Sequence, residues 1–115
     1  MQRGDIYLVD LDPAQGAESN KIRPVVIVSN NAANRTAARN GRGVVTVVPV
    51  TSNTARIYPF QVAIAAVEGG LAADSKAQAE HVRSVDYRRL RQRLGALNAS
   101  TLRRLDEALR IHLAL

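Results

Sequence analysis

Short runs of β-branched residues, each bounded by polar turn residues, limit the folds open to this chain more than any other feature. PVVIVS spans residues 24–29 and GVVTVVPV spans residues 43–50. Continuous valine and isoleucine runs of this length are typical of strands that are buried on both faces. Pro49 lacks a backbone donor, which predicts that this part of the second strand lies at an edge or a bulge. The 115 residues suffice for one domain, and we expect a single domain over 1–115.

The remaining patterns predict a β-rich α+β fold. Strands are expected at residues 4–11, 60–65, 78–85 and 93–97, with a long polar loop at 12–22. In the strand at 78–85, alternation would place Glu80 and Val82 on one face, with His81 and Arg83 on the other. Helices are expected at 31–38, capped by Asn30 or Asn31, at 98–113, capped by Asn98 or Ser100, and as a short turn at 86–90. About six short strands and a C-terminal helix predict a small curled sheet.

The charge of the chain points to a polyanionic partner. Lysine and arginine number 16 against 10 acidic residues, which gives a net charge of +6. Only Lys21 and Lys76 are lysines, so 16 − 2 = 14 of the basic residues are arginine. The planar guanidinium of arginine binds phosphate oxygens in pairs and stacks on bases. A solvated basic surface without a partner is the alternative.

Several classes of function are excluded by composition. The chain has no cysteine, so disulfides, thiolate nucleophiles and cysteine-based metal sites are absent, and it has only two histidines. It carries no phosphate-binding glycine loop of the nucleotide-binding classes. No apolar run approaches the ~18 residues of a membrane span, and MQRGDIYLVD lacks the pattern of a signal peptide. We therefore expect a soluble, cytoplasmic protein that needs no metal or cofactor.

Polar residues gather in three segments at predicted strand ends. These segments are ESNKIR at 18–23, TSNT at 51–54 and EHVRS at 80–84. Ordinary strand-end charges and turns would explain each segment taken alone. Together they form a candidate site of arginine, hydroxyl and carboxylate groups.

The blocks that contain these segments resemble the MazF/PemK family of bacterial toxins. The similarity is carried in order by RGDIYLVDLDPAQGAE, RPVVIVSN, VVPVTSN, YPF and KAQAEHVRS, and it runs from Gln2 into the C-terminal helix. The resemblance implies an SH3-like curled sheet or open barrel with a C-terminal helix, assembled as a homodimer. It also implies a sequence-specific, metal-independent endoribonuclease that cuts single-stranded mRNA. The implied partner is a small antitoxin whose extended acidic tail occupies the RNA groove.

The resemblance transfers the family's active residues to individual positions. The implied catalytic residues are Arg23, Thr51, Glu18 and Glu80. The implied RNA-binding residues are Lys21, Ser52, Asn53, Arg56, Tyr58, His81 and Arg83. The chain departs from the family at Ala17 and Gln78, where some members have histidine and arginine, and at His81, where many have glutamine. The general base therefore stays open between Glu18 and Glu80.

RNA supplies its own nucleophile, the 2′-hydroxyl, so cleavage without a metal requires only a base, charge stabilisation and a proton for the leaving oxygen. Two alternatives remain from other classes. One is a small barrel that binds nucleic acid without cleaving it. The other is a toxin of the same fold that poisons gyrase, against which the residues at positions 23 and 51 argue.

Apolar residues of the C-terminal helix suggest self-association. Leu102, Leu105, Leu109 and Leu113 recur at helical spacing, and Leu113 is followed by Ala114 and Leu115. We expect a two-fold dimer that buries part of this surface. The alternative is that the stripe is used entirely within one chain.

Overall fold

The computed structural model of the chain describes residues 1–11 and 22–115. The strands are Asp5–Asp10 (β1), Ile22–Ile27 (β2), Val44–Thr51 (β3), Gln61–Ile64 (β4), Ser75–Gln78 (β5), Arg83–Asp86 (β6) and Leu90–Ala96 (β7). The helices are Asn31–Asn40 (α1), Ala66–Gly69 (α2) and Ala99–Leu113 (α3), and short 3₁₀ turns cover Ala79–His81 and Tyr87–Arg89. The predicted loop at 12–22 lies, except for residue 22, outside the described residues.

The strands form one antiparallel sheet in the order β4-β5-β3-β2-β1-β7, with β6 also paired to β3. On one side β3 pairs with β2. On its other side, Val44–Val47 pair with β6, and Val50 and Thr51 pair with β5. A single strand that changes partner along its length makes the sheet curl. This architecture confirms the prediction of a curled, β-rich fold with a C-terminal helix.

Pro49 does not lie on an edge strand, because β3 is paired on both sides. It is level with Val25 of β2, and on the other side it lies between the residues that pair with β6 and those that pair with β5. A missing N–H is tolerated at such a break in the ladder. The prediction of an edge was therefore wrong, whereas the prediction of a local irregularity was correct.

The predicted strand at 78–85 is interrupted by the 3₁₀ turn Ala79–His81. The register explains the interruption. In one antiparallel register, the two residue numbers of every pair add to the same sum. Val50 pairs with Ala77, which gives 127, whereas Val47 pairs with Arg83, which gives 130. Three extra residues must therefore leave the ladder between β5 and β6, and they do so as the turn. The expected alternation of Glu80 and His81 on opposite strand faces was wrong for this reason.

The sheet separates two apolar clusters. One contains Val26 and Val48 and packs against Leu105 of α3. The other contains Val25 and Val47 and packs against Ala37 of α1. Neighbouring residues of β2 therefore enter different clusters, which confirms that this strand is buried on both faces.

The helices begin where their caps require. The side chain of Asn30 accepts a hydrogen bond from the backbone of Ala33 at the start of α1, and Asn98 does the same for Thr101 at the start of α3. Along α3, Leu105 is fully buried and Leu102 and Leu109 pack against the same cluster. Most of the predicted leucine stripe is thus used within the chain.

Two glycines with nearly the same backbone geometry offer a matched test of close packing. Gly41 and Gly70 end α1 and α2 with φ of 66° and 67°. A Cβ at Gly41 would meet nothing within 4 Å, whereas one at Gly70 would lie 2.1 Å from the carbonyl oxygen of Leu94. We expect Gly41→Ala to cost about 1–2 kcal/mol, the penalty of the left-handed backbone. Gly70→Ala should cost about 1–3 kcal/mol more, from the clash with backbone.

Urea unfolding of both variants, followed by circular dichroism, measures the difference. Equal losses at the two positions would show that α2 can move away from β7 without cost.

Candidate active site

Three polar residues form a row across adjacent strands at one end of the sheet. Val25 is level with Pro49, and extending this antiparallel register by two residues brings Arg23 level with Thr51 (25 + 49 = 23 + 51). Thr51 is in turn paired with Lys76 of β5. Residues opposite one another in antiparallel strands project from the same face, with Cβ atoms roughly 4.5–5.5 Å apart. Arg23, Thr51 and Lys76 therefore share one face.

Two open cavities meet at this row. The larger, of about 420 Å³, is within the usual size of ligand pockets. The smaller is about 250 Å³. Both are lined by Arg23, Val50 and Thr51. Arg23 and Thr51 thus lie on the boundary between the cavities, where a bound polymer would pass from one to the other.

Each cavity adds its own polar residues. Ser52 and Ser75 line the larger one, and Gln78, His81 and Arg83 line the smaller one. No carboxylate is among the described residues of either wall. Of the residues predicted for the site, Arg23, Thr51, Ser52, His81 and Arg83 lie in the walls of the two cavities. Glu18 and Lys21 lie outside the described residues.

The hydroxyl-rich segment after β3 is held by its own side chains. Thr51 Oγ1 accepts a hydrogen bond from the backbone of Asn53 at 3.2 Å, and Asn53 Oδ1 accepts one from Ala55 at 3.3 Å. Such local turns explain the run TSNT. Because Thr51 Oγ1 is the acceptor here, its own O–H stays a donor that can be directed at a ligand.

Residues 52–59, called here the 52–59 loop, contain Tyr58, whose ring stacks on that of Phe60 directly after the loop. The rings of Tyr58 and Phe60 lie 5.4 Å apart with planes 5° from parallel, and the guanidinium of Arg56 lies 5.1 Å from the centre of the Tyr58 ring. Tyr58 is still 41% exposed. The two aromatic rings near the site thus contact each other, while the Arg56 cation and the phenol edge face outward.

Glu80 lies apart from the cavities and supports the 52–59 loop. Its Oε2 accepts a hydrogen bond from Gln61 Nε2 at 2.5 Å, and Gln61 Oε1 accepts one from the backbone of Tyr58 at 3.1 Å. Glu80 Oε1 is buried and has no hydrogen-bond partner among the described residues. His81 Nε2 is 4.0 Å from Glu80 Oε2, on a mostly exposed ring. Gln61 therefore links the Glu80 carboxylate to the loop backbone.

Sequence reasoning did not single out Lys76, which is paired with Thr51 across the sheet. The residue is only 7% exposed, and its Nζ donates to the backbone carbonyl of Arg56 at 2.5 Å. Lys76 is one of 16 basic residues in the chain. It begins the block KAQAEHVRS, in which other positions were assigned to the site. Its pairing with Thr51 could have been found only from the register of β3 and β5.

Several carboxylates in the described ranges form ion pairs away from these two cavities. Asp106 pairs with Arg3 at 2.6 Å, Asp5 with Arg93 at 3.3 Å, and Glu107 with Arg110 at 3.1 Å. Hydrogen bonds from the Arg88 side chain lower the pKa of Asp86 to about 2. The described walls of the two cavities contain the guanidinium groups of Arg23 and Arg83 and no carboxylate.

Two features are absent from residues 1–11 and 22–115. No three histidine or carboxylate side chains there are grouped so that they could hold a metal ion. No helix in the same part of the chain has the length and apolar character needed to cross a membrane.

Comparison with known proteins identifies the family. Residues 2–113 match the family described as PemK-like, MazF-like toxin of type II toxin–antitoxin system. The chain is 57% identical over 115 residues to Endoribonuclease MazF9 of Mycobacterium tuberculosis, covering 100% of this chain and 98% of the relative. It is also 61% identical over 57 residues to Probable endoribonuclease MazF1 of the same organism, covering 50% of this chain and 61% of that relative.

Solved structures agree with the fold. One is an endoribonuclease in complex with its cognate antitoxin from a mycobacterial species, with a TM-score of 0.78, 29% identity, and coverage of 100% of this chain and 96% of that one. Another is a MazE–MazF complex from Deinococcus radiodurans, with a TM-score of 0.79, 28% identity and the same coverage. The resemblance found in the sequence blocks is confirmed, and the chain belongs to the PemK-like, MazF-like family of type II toxin–antitoxin toxins.

Proposed function

We propose that this toxin cleaves single-stranded RNA, including mRNA, at specific sequences by attack of the RNA 2′-hydroxyl and without a metal ion. The chain is an endoribonuclease of its family. The observation that carries the finer proposal is the position of Arg23 and Thr51 on the boundary of two cavities. An RNA strand that enters both cavities would have its scissile phosphate beside these two side chains.

The reaction balances with groups from RNA and protein alone. A base removes the proton of the 2′-hydroxyl, a bond forms between O2′ and phosphorus, and the bond from phosphorus to O5′ breaks. The leaving O5′ takes up a proton, so the products are a 2′,3′-cyclic phosphate and a 5′-hydroxyl. Arg23 stabilises the negative charge on the phosphorane oxygens through its guanidinium fork. Thr51 orients the phosphate by donating its O–H.

The base is a carboxylate, because arginine is protonated at any working pH. Of the two candidates, Glu80 is hydrogen-bonded to Gln61 and is absent from the described walls of both cavities. This arrangement favours Glu18 as the base, with Glu80 supporting the 52–59 loop through Gln61.

RNA binding is assigned to the polar residues around the row. We infer that the contacts come from Lys21, Ser52, Asn53, Arg56, Tyr58, His81 and Arg83. The arginine side chains would bind phosphate, and hydroxyl, amide and imidazole groups would contact base edges. Since Tyr58 and Phe60 already stack on each other, base stacking alone would give a weak platform, which disfavours the alternative of a non-catalytic binder.

The same positive walls suit a protein inhibitor. A cognate antitoxin with an extended acidic tail would bind the cavities that RNA uses, because carboxylates pair with arginine much as phosphates do. A solved relative is bound to its cognate antitoxin, which supports this pairing. Inhibition would then be competition for Arg23 and Arg83.

Arg23 tests the centre of the proposal. Arg23→Ala should fold normally, because the side chain is exposed, and should lower turnover by on the order of 10²–10³. Arg23→Lys should also be poor, since a point charge does not replace the fork. Arg103→Ala on α3, also exposed, is the matched control for loss of one charge. Cleavage of a long RNA is the measurement, and wild-type turnover in Arg23→Ala would contradict the assignment.

The nucleophile is tested on the substrate. An oligonucleotide with one 2′-deoxy sugar, 5′ of the cleaved bond, should bind normally and stay uncut in EDTA, while the all-ribose version is cut. Binding should persist because the phosphate charge is unchanged. The logarithm of the binding constant should fall with the logarithm of the salt concentration, with a slope of about −0.7 for each phosphate contacted. Cleavage of the deoxy oligonucleotide would mean that water or a side chain attacks. Absence of all RNA cleavage would revive the gyrase alternative.

Homodimer formation is the second proposal for this chain. Ile111 is 51% exposed, Leu113 48% and Leu115 84%, so the end of α3 stays apolar and uncovered. An adjoining groove is lined by Val62, Ala63, Ala108 and Ile111. We expect two chains to cover this surface, giving a mass near 2 × 12.5 kDa and a charge of 2 × (+6) = +12. Sedimentation at micromolar concentration measures it, and a mass of 12.5 kDa would contradict it.

A further inference from the structure

Lys76 is a buried cation without a carboxylate partner in the described part of the chain. Its described hydrogen bond goes to the backbone carbonyl of Arg56. Burying an ammonium with so little compensation costs free energy, and an apolar side chain of the same length would avoid that cost. Packing therefore does not explain why a lysine occupies this position of β5.

The 52–59 loop is held at few points. Each of its residues is exposed, and none belongs to a helix or strand. From outside the loop, Thr51 Oγ1 accepts a hydrogen bond from Asn53 at its start, Lys76 binds the Arg56 carbonyl, and Gln61 makes two contacts with Tyr58, at 3.1 and 2.9 Å. Both contacts of Gln61 act at the end of the loop next to β4. Lys76 alone acts on its middle.

We propose that Lys76 is a positioning residue that fixes the 52–59 loop and thereby sets RNA affinity and sequence discrimination. This inference rests on the proposed function and goes beyond it, because Lys76 need not touch RNA. Its Nζ holds the Arg56 carbonyl, and the backbone on either side carries the exposed Arg56 guanidinium and Tyr58 phenol. Thr51 and Lys76 are paired, so the loop is tied to the strand that carries the reacting site.

A loop ordered before binding lowers the entropy lost when RNA binds. Loss of the Lys76–Arg56 hydrogen bond should therefore weaken RNA binding. It should also reduce the ratio of affinities for preferred and mismatched sequences. It should leave the chemical step almost unchanged, because Arg23 lies on β2 and Thr51 on β3, outside the loop. The expected signature is a change in KM with little change in kcat.

The first experiment needs no catalysis. Trypsin cuts after arginine, and the bond it would cut in this loop, Arg56–Ile57, contains the carbonyl that Lys76 holds. In Lys76→Met, nicking at this bond should accelerate by about tenfold, while nicking after Arg103 should keep its wild-type rate. Mass spectrometry of the fragments follows both sites. Unchanged nicking after Arg56 would overturn the proposal even if no RNA substrate were found.

The second experiment is kinetic. Lys76→Met should raise KM by about 10–100-fold, the range expected for a charge-assisted hydrogen bond, with kcat within about threefold. The ratio of cleavage at the preferred site to a single-mismatch site should fall. Arg103→Met is the matched control for one lost charge and should change neither. A lower kcat at unchanged KM would instead mean that Lys76 acts on the transition state and would overturn the positioning role.

A double-mutant cycle distinguishes an effect of Lys76 through the loop from a direct effect of its charge on RNA. Arg56→Gln keeps the backbone carbonyl that Lys76 binds but removes the guanidinium that the loop presents. If Lys76 acts through the loop, Lys76→Met should weaken binding far less in the Arg56→Gln background than in the wild type. Additive effects would contradict the inference, as would a loss of melting temperature with no change in KM. Inactivity of the wild type would instead count against the proposed function, leaving the tryptic result intact.

Discussion

The pairing of β3 on both of its sides is the constraint on which the rest of the molecule depends. This eight-residue strand joins β2 on one side and, in succession, β6 and β5 on the other. The change of partner at Pro49 bends the sheet, so that its two faces hold separate apolar clusters covered by α1 and α3. The same bend leaves the end of β3 at the boundary of two cavities. Thr51 owes its position to this register and not to any loop.

Charge is distributed to match that geometry. Asp5, Asp86 and Asp106 are paired with arginines elsewhere on the surface, while the described cavity walls carry guanidinium groups and no carboxylate. These ion pairs involve arginines that serve the fold. The guanidinium groups in the cavity walls favour a polyanionic ligand there.

Much of this arrangement could be predicted from sequence, because strands and helix starts depend mainly on residues close together in the chain. The β-branched runs gave β2 and β3, Asn30 and Asn98 marked the helix starts, and the ordered motifs gave the family and the position of Arg23. Long-range register could not be predicted in this way. The three-residue surplus between β5 and β6 forms a 3₁₀ turn that moves Glu80 off the expected strand face, and alternation in the sequence carries no trace of it. Lys76 was missed for the same reason, since its pairing with Thr51 across the sheet depends on the register of β3 and β5.

In the proposed function, binding and chemistry lie on different parts of the fold. Arg23 and Thr51 lie on β2 and β3, which are paired with each other, whereas Arg56 and Tyr58 lie on an exposed loop held at a few points. Groups that stabilise a transition state need such fixed geometry, because their advantage lies in requiring no rearrangement during the reaction. Groups that read sequence gain from a loop, since its residues can change without disturbing the strands. In the proposed role, buried Lys76 links the 52–59 loop to the paired strands. Loop residues that recognise RNA sequence could then change while the reacting phosphate still binds beside Arg23 and Thr51.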